Sequence, residues 1–157
     1  AWWRLRRSAL ADLATTRDLR QAYRLHTLDA ELHAIRIAET LGRLEAAGVA
    51  TLLVKGWAVA RLYPEPGLRS YTDVDLVVRR GAQARARAAL AAGPPIGEPV
   101  DFHDGPGLLD RASFDELAGR AESATVGGAA VRVLGPEVKV AEVRLEGDDL
   151  LTMTLDL

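Results

Sequence analysis

The sequence predicts a mixed α/β (α+β) fold on the basis of three observations. Segments with helical periodicity alternate with short apolar runs typical of strands, and Gly- and Pro-rich turns separate them. The chain of 157 residues is 48% hydrophobic and 27% charged, which is ordinary for a soluble globular protein with a proper core. It contains no cysteine, so disulfides, thiolate metal sites and cysteine nucleophiles are excluded. We therefore expect a mixed β-sheet flanked by helices.

A long N-terminal helix is predicted from Leu19 to about Gly48. Residues that recur every three or four positions share one of its faces, which we expect to pack on the sheet: Leu19, Tyr23, His26, Ala30, Ala34, Ile37, Leu41 and Leu44. His26 and His33 lie on or near this face, and we interpret both as structural residues.

The later elements are shorter. Strands are predicted at 51–54, 71–78 and 98–103, helices at 57–63, 81–92 and from Ser113 to about residue 121, and two β-like runs flank Gly127-Gly128, with 129–134 the better strand. Alternating apolar residues after Pro136 predict a C-terminal β-hairpin at 138–157. We therefore divide the chain into an N-terminal helical segment (1–48), a core (49–137) and a hairpin extension (138–157).

Two carboxylates stand one residue apart in an otherwise apolar strand. Side chains alternate along a strand, so Asp73 and Asp75 project to one face, and like charges there repel unless a cation neutralises them. Mg²⁺ is typically held by one or two carboxylates and substrate phosphates. Asp101, in the next predicted strand, is a candidate third ligand for metal-assisted displacement at phosphorus. Chance spacing of acids is the alternative interpretation.

Lys55 and Gly56 lie between a buried strand and a helix start. Glycine allows close approach of a ligand to the backbone, the helix N-terminus favours an anion, and Lys55 adds a positive charge. The pair predicts a phosphate-holding turn. A turn glycine beside an exposed lysine is the alternative.

The charge and hydropathy of the chain exclude other classes. A formal net charge of −2 argues against a broad nucleic-acid surface. No run of 18 apolar residues is present, so we expect no membrane span, and with no evident signal peptide we expect a cytoplasmic protein.

Together these segments resemble the nucleotidyltransferase family of the DNA polymerase β superfamily, in particular its bacterial uncharacterised branch. The motifs that carry the resemblance are Val54-Lys55-Gly56, Tyr63-Pro64-Glu65-Pro66-Gly67-Leu68-Arg69, Asp73-Val74-Asp75-Leu76-Val77-Val78 and Asp101-Phe102-His103. The resemblance extends over residues 19–137 and implies a nucleotidyltransferase-like sheet and transfer of a nucleoside monophosphate from an NTP with release of pyrophosphate.

The resemblance also implies metal ligands. Asp73 and Asp75 would bind Mg²⁺ or Mn²⁺, with Asp101 as third ligand and base toward the acceptor. His103 is either a direct participant or a group that supports these ligands, and we favour the supporting role.

The nucleotide phosphates would be held at the turn, by Gly56 with Lys55 and the amide of Trp57. Arg69 would reach a phosphate or order the loop before the acidic strand. The superfamily's Gly-Ser or Gly-Gly pair is Gly56-Trp57 here, so a hydroxyl that could seat the triphosphate is missing.

Several alternatives stay open at this level. The acceptor is a protein, a peptide, a small molecule or an RNA end. The scaffold could instead transfer another phosphorylated group such as a sugar, or serve as a non-catalytic nucleotide- or partner-binding module. A homodimer formed through the edge of the terminal hairpin is a further hypothesis.

Overall fold

The computed structural model describes residues 2–103 and 112–134. In chain order its elements are α1 (Trp2–Leu5), α2 (Ala14–Ala46), β1 (Thr51–Val54), α3 (Gly56–Ala60), β2 (Val74–Val78), α4 (Gln83–Ala91), β3 (Val100–His103), α5 (Phe114–Arg120), β4 (Ala121–Val126) and β5 (Ala129–Leu134). The predicted α+β class, with a long N-terminal helix and a mixed sheet, is confirmed.

The five strands form one mixed sheet in the order β3-β2-β1-β5-β4. β1 pairs antiparallel with β2 and parallel with β5, while β2 pairs parallel with β3. β4 and β5 form an antiparallel hairpin across Gly127-Gly128, whose positive φ angles of 53° and 84° suit glycine. The hairpin predicted at 138–157 lies outside the described residues.

Apolar side chains cover both faces of the sheet. Val74, Leu76 and Val78 of β2 point into the larger core cluster, which includes Ile37, Leu41 and Leu44 of α2 and Ala86 of α4. Val77 points to the opposite face, into a smaller cluster with Leu52, Val54 and Leu117 of α5. Because side chains alternate along a strand, Asp75 lies on the face of the smaller cluster.

Helix α2 is longer than predicted and only partly buried. It begins at Ala14, five residues before the predicted start at Leu19, and its buried apolar residues (Ile37, Leu41 and Leu44) all lie in its C-terminal half. Of the predicted apolar face, Leu19 and His26 are exposed. The N-terminal half contacts the loop after α3 and leaves its large apolar side chains exposed, so helical periodicity alone overstated the buried length.

Two boundaries near the predicted site differ from the sequence pattern. β2 begins at Val74 and not at residue 71, so Asp73 lies just before the strand. Helix α3 ends at Ala60 and not at residue 63. In contrast, α5 begins as predicted, with a capping box in which Ser113 Oγ accepts from the Glu116 amide and the Glu116 carboxylate accepts from the Ser113 amide.

None of the helices in the described part of the chain combines the length and apolar character needed to cross a membrane.

Candidate functional site

Three carboxylates converge at one end of the sheet. Asp75 in β2 and Asp101 in β3 are register partners in the parallel ladder, and Asp73 lies just before β2. One carboxylate oxygen from each of the three lies within 4.8 Å of the others. Asp75 is buried, Asp73 is half-buried and Asp101 is exposed. The cluster is therefore anchored in the protein at one side and open to solvent at the other.

The three oxygens fit a hard divalent cation. Mg²⁺ binds oxygen at about 2.0–2.1 Å, so two oxygens on one ion lie at most about 4.2 Å apart, and small side-chain rotations close the difference from 4.8 Å. Carboxylates are the donors that Mg²⁺ and Mn²⁺ prefer. In the absence of a cation the three like charges repel one another.

Asp75 already contacts two basic side chains. His103 Nε2 lies 2.9 Å and Lys55 Nζ 3.4 Å from the same oxygen, Oδ1 of Asp75. Neither contact uses Oδ2. The side chain of Asp75 is 6% exposed, so these neighbours compensate part of the cost of burying its charge. They also fix its orientation.

The turn between β1 and α3 has a strained backbone. Lys55 has φ 49° and ψ −137°, and it is the one non-glycine residue with a positive φ among those described. Residues with a side chain rarely adopt this backbone conformation, which costs on the order of 1–3 kcal/mol and often occurs at ligand-binding sites. This conformation directly precedes Gly56, the first residue of α3, and the Lys55 side chain reaches Asp75.

Gly56 packs directly against the acidic segment. A Cβ at this position would lie 3.3 Å from the main-chain oxygen of Asp73 and 3.6 Å from the side chain of Tyr71. Arg69 Nη1 donates to the carbonyl oxygen of Gly56 at 3.2 Å. The predicted phosphate turn and the predicted metal ligands are thus in van der Waals contact, and Arg69 braces the turn.

Trp57 packs on the larger core cluster and lines a cavity of about 280 Å³. The cavity lies between α2, α3 and the loop that follows α3, and Glu31, Arg69 and Tyr71 also line it. Burial, reinforced by the Glu31 and Glu98 carboxylates, raises the pKa of Tyr71 to about 12. Its hydroxyl therefore stays protonated, and it has no hydrogen-bond partner among the described residues.

The loop after α3 is tied to the N-terminal helices by Glu65. Arg6 donates to both carboxylate oxygens of Glu65, and Tyr23 donates its hydroxyl to Oε2. These hydrogen bonds lower the pKa of Glu65 to about 2, and those from Arg6 have the largest effect. A Cβ at Gly67 would lie 2.6 Å from the backbone nitrogen of Thr27, so only glycine allows this approach to α2. The loop that carries Arg69 is thereby positioned.

The comparisons with known proteins give one match. A family model described as an uncharacterised nucleotidyltransferase matches residues 1–93, more than half of the chain. The chain belongs to this family.

No curated protein and no solved structure shows a significant match. In this nucleotidyltransferase-family chain the matched region includes Lys55, Gly56, Asp73 and Asp75, whereas Asp101 and His103 lie beyond it. The family supports a general role in nucleotidyl transfer. The place of Asp101 beside the other two acids comes from the strand register.

The nucleotidyltransferase-family site brings together most of the residues singled out in the sequence. Asp73, Asp75 and Asp101 form the acidic cluster, His103 and Lys55 contact Asp75, and Gly56 contacts Asp73 and accepts from Arg69. Tyr71 and Glu65 were not predicted to be site residues, although Glu65 lies in one of the motifs that carry the resemblance. The signal for Tyr71 was its place two residues before Asp73, and that for Glu65 was the Pro64-Glu65-Pro66-Gly67 turn.

Proposed function

We propose that the chain is a metal-dependent nucleotidyltransferase that transfers a nucleoside monophosphate from an NTP to an acceptor. The observation that carries the proposal is the convergence of Asp73, Asp75 and Asp101 in a chain of this family. Residues 49–137 form the transferase core in this proposal, and residues 1–48 support it.

The carboxylates have distinct roles in this proposal. Asp73 and Asp75 hold Mg²⁺ or Mn²⁺, and Asp101 completes the set from the exposed side. The bound cation would neutralise charge on the phosphates and the leaving oxygen. Asp101 also accepts the proton of the acceptor group as that group attacks the α-phosphorus. The bond from the α-phosphorus to the bridging oxygen breaks, and pyrophosphate leaves.

The turn holds the nucleotide phosphates. Lys55, Gly56 and the amide of Trp57 present positive charge and N–H groups at the start of α3. Lys55 Nζ lies 3.4 Å from Asp75 Oδ1, which is long for a hydrogen bond. A phosphate could therefore readily compete with Asp75 for Lys55. Arg69 acts by bracing Gly56, through the hydrogen bond to its carbonyl oxygen.

His103 positions Asp75. Its Nε2 contact with Oδ1 orients the carboxylate that would help to hold the metal, as hydrogen-bond partners of metal ligands typically do.

The test measures nucleotide binding and turnover together. Calorimetry should show Mg²⁺-dependent binding of at least one NTP, and Asp73→Asn combined with Asp75→Asn should abolish it. The matched control is Asp12→Asn with Asp18→Asn, two exposed acids outside the site. Unchanged NTP affinity in the site variant would rule out the assignment. Pyrophosphate release with candidate proteins, peptides, small molecules and RNA ends identifies the acceptor.

One observation favours a second function, a non-catalytic nucleotide-binding module. Lys55 and His103 both contact Asp75, so this carboxylate is partly neutralised without a metal. This alternative predicts NTP binding without pyrophosphate release, whatever the acceptor. A transferase of another phosphorylated group, such as a sugar phosphate from a nucleoside diphosphate sugar, would instead release a nucleoside monophosphate.

A further inference from the structure

A stripe of exposed apolar residues runs along helix α2. Leu25, Leu28, Leu32 and Ile35 are 53%, 56%, 42% and 51% exposed. Their spacing of three, four and three residues is that of the a and d positions of a coiled coil, with Leu25 and Leu32 at a. The stripe spans about 15 Å of helix. Large apolar side chains that cluster at this spacing mark an interaction surface.

The stripe lies away from the face of α2 that packs on other described residues. Tyr23 and Thr27 contact the loop with Glu65 and Gly67, and Ala34 lies against Gly127. With about 100° between successive helix residues, this packed face and the stripe are centred roughly 140° apart. Among the described residues, the rest of the fold comes close to the edge of the stripe at Arg36, which pairs with Glu98.

Charged residues flank the stripe in a self-complementary order. The g positions are Arg24 and Glu31, and the e positions are Asp29 and Arg36. In a parallel, in-register pair of helices, each g residue approaches the e residue five positions later in the other helix. Arg24 then meets Asp29, a residue of opposite charge. Arg36, which would meet Glu31, already pairs with Glu98 of its own chain, so the complementarity is carried by Arg24 and Asp29.

We propose that this face binds a second copy of the chain, with the two α2 helices parallel and in register. The stripe offers a few hundred Å² for each copy, against about 800 Å² in a standard interface. The dimer is consequently concentration-dependent, and the flanking charges set its orientation. It is independent of nucleotidyl transfer, and it uses α2 rather than the hairpin predicted at 138–157.

The first test is the mass of the full chain in solution over about a hundredfold range of concentration. Sedimentation should show the mass rising from 16.9 kDa toward twice that value. Leu28→Glu with Leu32→Glu should remain monomeric throughout, with an unchanged circular dichroism spectrum. The matched control, Leu10→Glu with Leu62→Glu, alters two half-exposed leucines outside the stripe and should dimerise normally. A wild-type chain that stays monomeric, or a stripe variant that dimerises like the control, overturns the proposal.

A charge exchange tests the pairing of the flanks. Arg24 and Asp29 are both exposed, so their substitution leaves the fold intact. Arg24→Asp should weaken dimerisation at least tenfold, because it places an acid beside Asp29 of the second copy. Adding Asp29→Arg should restore it. A double variant as weak as the single one overturns the parallel register.

A single introduced thiol tests the orientation, because the chain has no cysteine of its own. Leu25→Cys should form a disulfide-linked dimer on mild oxidation, since the two residues 25 face each other in the parallel pair. In an antiparallel pair centred on the stripe they would be about 15 Å apart, which is beyond the reach of a disulfide. Failure to cross-link, in a sample that dimerises, overturns the parallel arrangement.

Discussion

Asp75 and Asp101 lie directly opposite each other on the neighbouring parallel strands β2 and β3. This pairing brings a carboxylate from beyond the family match beside two carboxylates within it. The third acid is therefore supplied by the sheet and not by a continuous motif. It also gives Asp101 the most exposed position of the three.

Replacing Asp101 should separate activity from stability. We expect Asp101→Asn to lower pyrophosphate release at least 10²-fold, because in the proposed function Asp101 is both a metal ligand and the base toward the acceptor. Without metal the variant should be at least as stable as the wild type, because three clustered carboxylates repel one another. Thermal unfolding with and without Mn²⁺ measures both effects, since a bound ion stabilises the folded state. A marked loss of stability in metal-free Asp101→Asn would contradict this account.

Removing the imidazole of His103 should weaken the site without unfolding the protein. His103→Ala frees Asp75 Oδ1 from its contact at 2.9 Å, and substitutions of this kind typically cost about 10–100-fold in metal affinity or activity. The measurement is Mn²⁺ affinity together with pyrophosphate release. His26→Ala, at an exposed position on α2, is the control. Equal metal affinity in the two variants would rule out a positioning role.

A methyl group at Gly56 should disturb the acidic segment. The new Cβ would stand 3.3 Å from the Asp73 oxygen, so we expect Gly56→Ala to destabilise the fold by about 1–2 kcal/mol and to weaken NTP binding. Gly42→Ala is the matched control within α2, where an added Cβ would meet nothing within 4 Å beyond the helix's own backbone, and it should stabilise the fold by about 0.5–1 kcal/mol. Urea unfolding and calorimetry measure the two effects. The same sign of stability change in both variants would contradict the prediction.

The docking of the loop after α3 should depend on acid pH. The folded pKa of Glu65 is about 2, below its ordinary value of 4.5, so its stabilising contribution is complete above about pH 4.5 and is lost as pH falls through about 2. Between these pH limits, the free energy of unfolding measured with urea should depend less on pH for Glu65→Gln than for the wild type. Arg6→Gln should give a similar result, because it removes the same ion pair. If the free energy of unfolding of both variants changed with pH as steeply as that of the wild type, the Arg6–Glu65 contact would be excluded as the origin of the pH dependence.

The sequence predicted the order of the elements well where the signals were local. The Ser113–Glu116 capping box, the turn at Gly127-Gly128 and the apolar run at 51–54 all lie where expected, because each depends on neighbours within a few residues. The predicted start of β2 was less accurate, because the strand begins at Val74 and not at residue 71. A strand ends where its ladder partners end, and Val74 pairs with Val100, so the boundary depends on residues far along the chain.

The same distinction applies to the site. Strand alternation indicated that Asp73 and Asp75 share a face, and the motif at Lys55-Gly56 indicated a special turn. That Lys55 reaches Asp75, and that Gly56 touches the Asp73 backbone, could not be predicted, because both contacts follow from the antiparallel pairing of β1 with β2.

The sequence by itself determined the class of fold, the acidic strand and the long helix, because periodicity and turn chemistry act over short distances along the chain. Only the tertiary structure decided that β3 pairs in parallel with β2, which places Asp101 beside Asp75. It also decided that α2 buries its C-terminal half and leaves Leu25 and Leu28 exposed. The physical reason is that strand pairing and helix docking depend on contacts between distant segments, and an amphipathic pattern shows which face is apolar without showing what covers it.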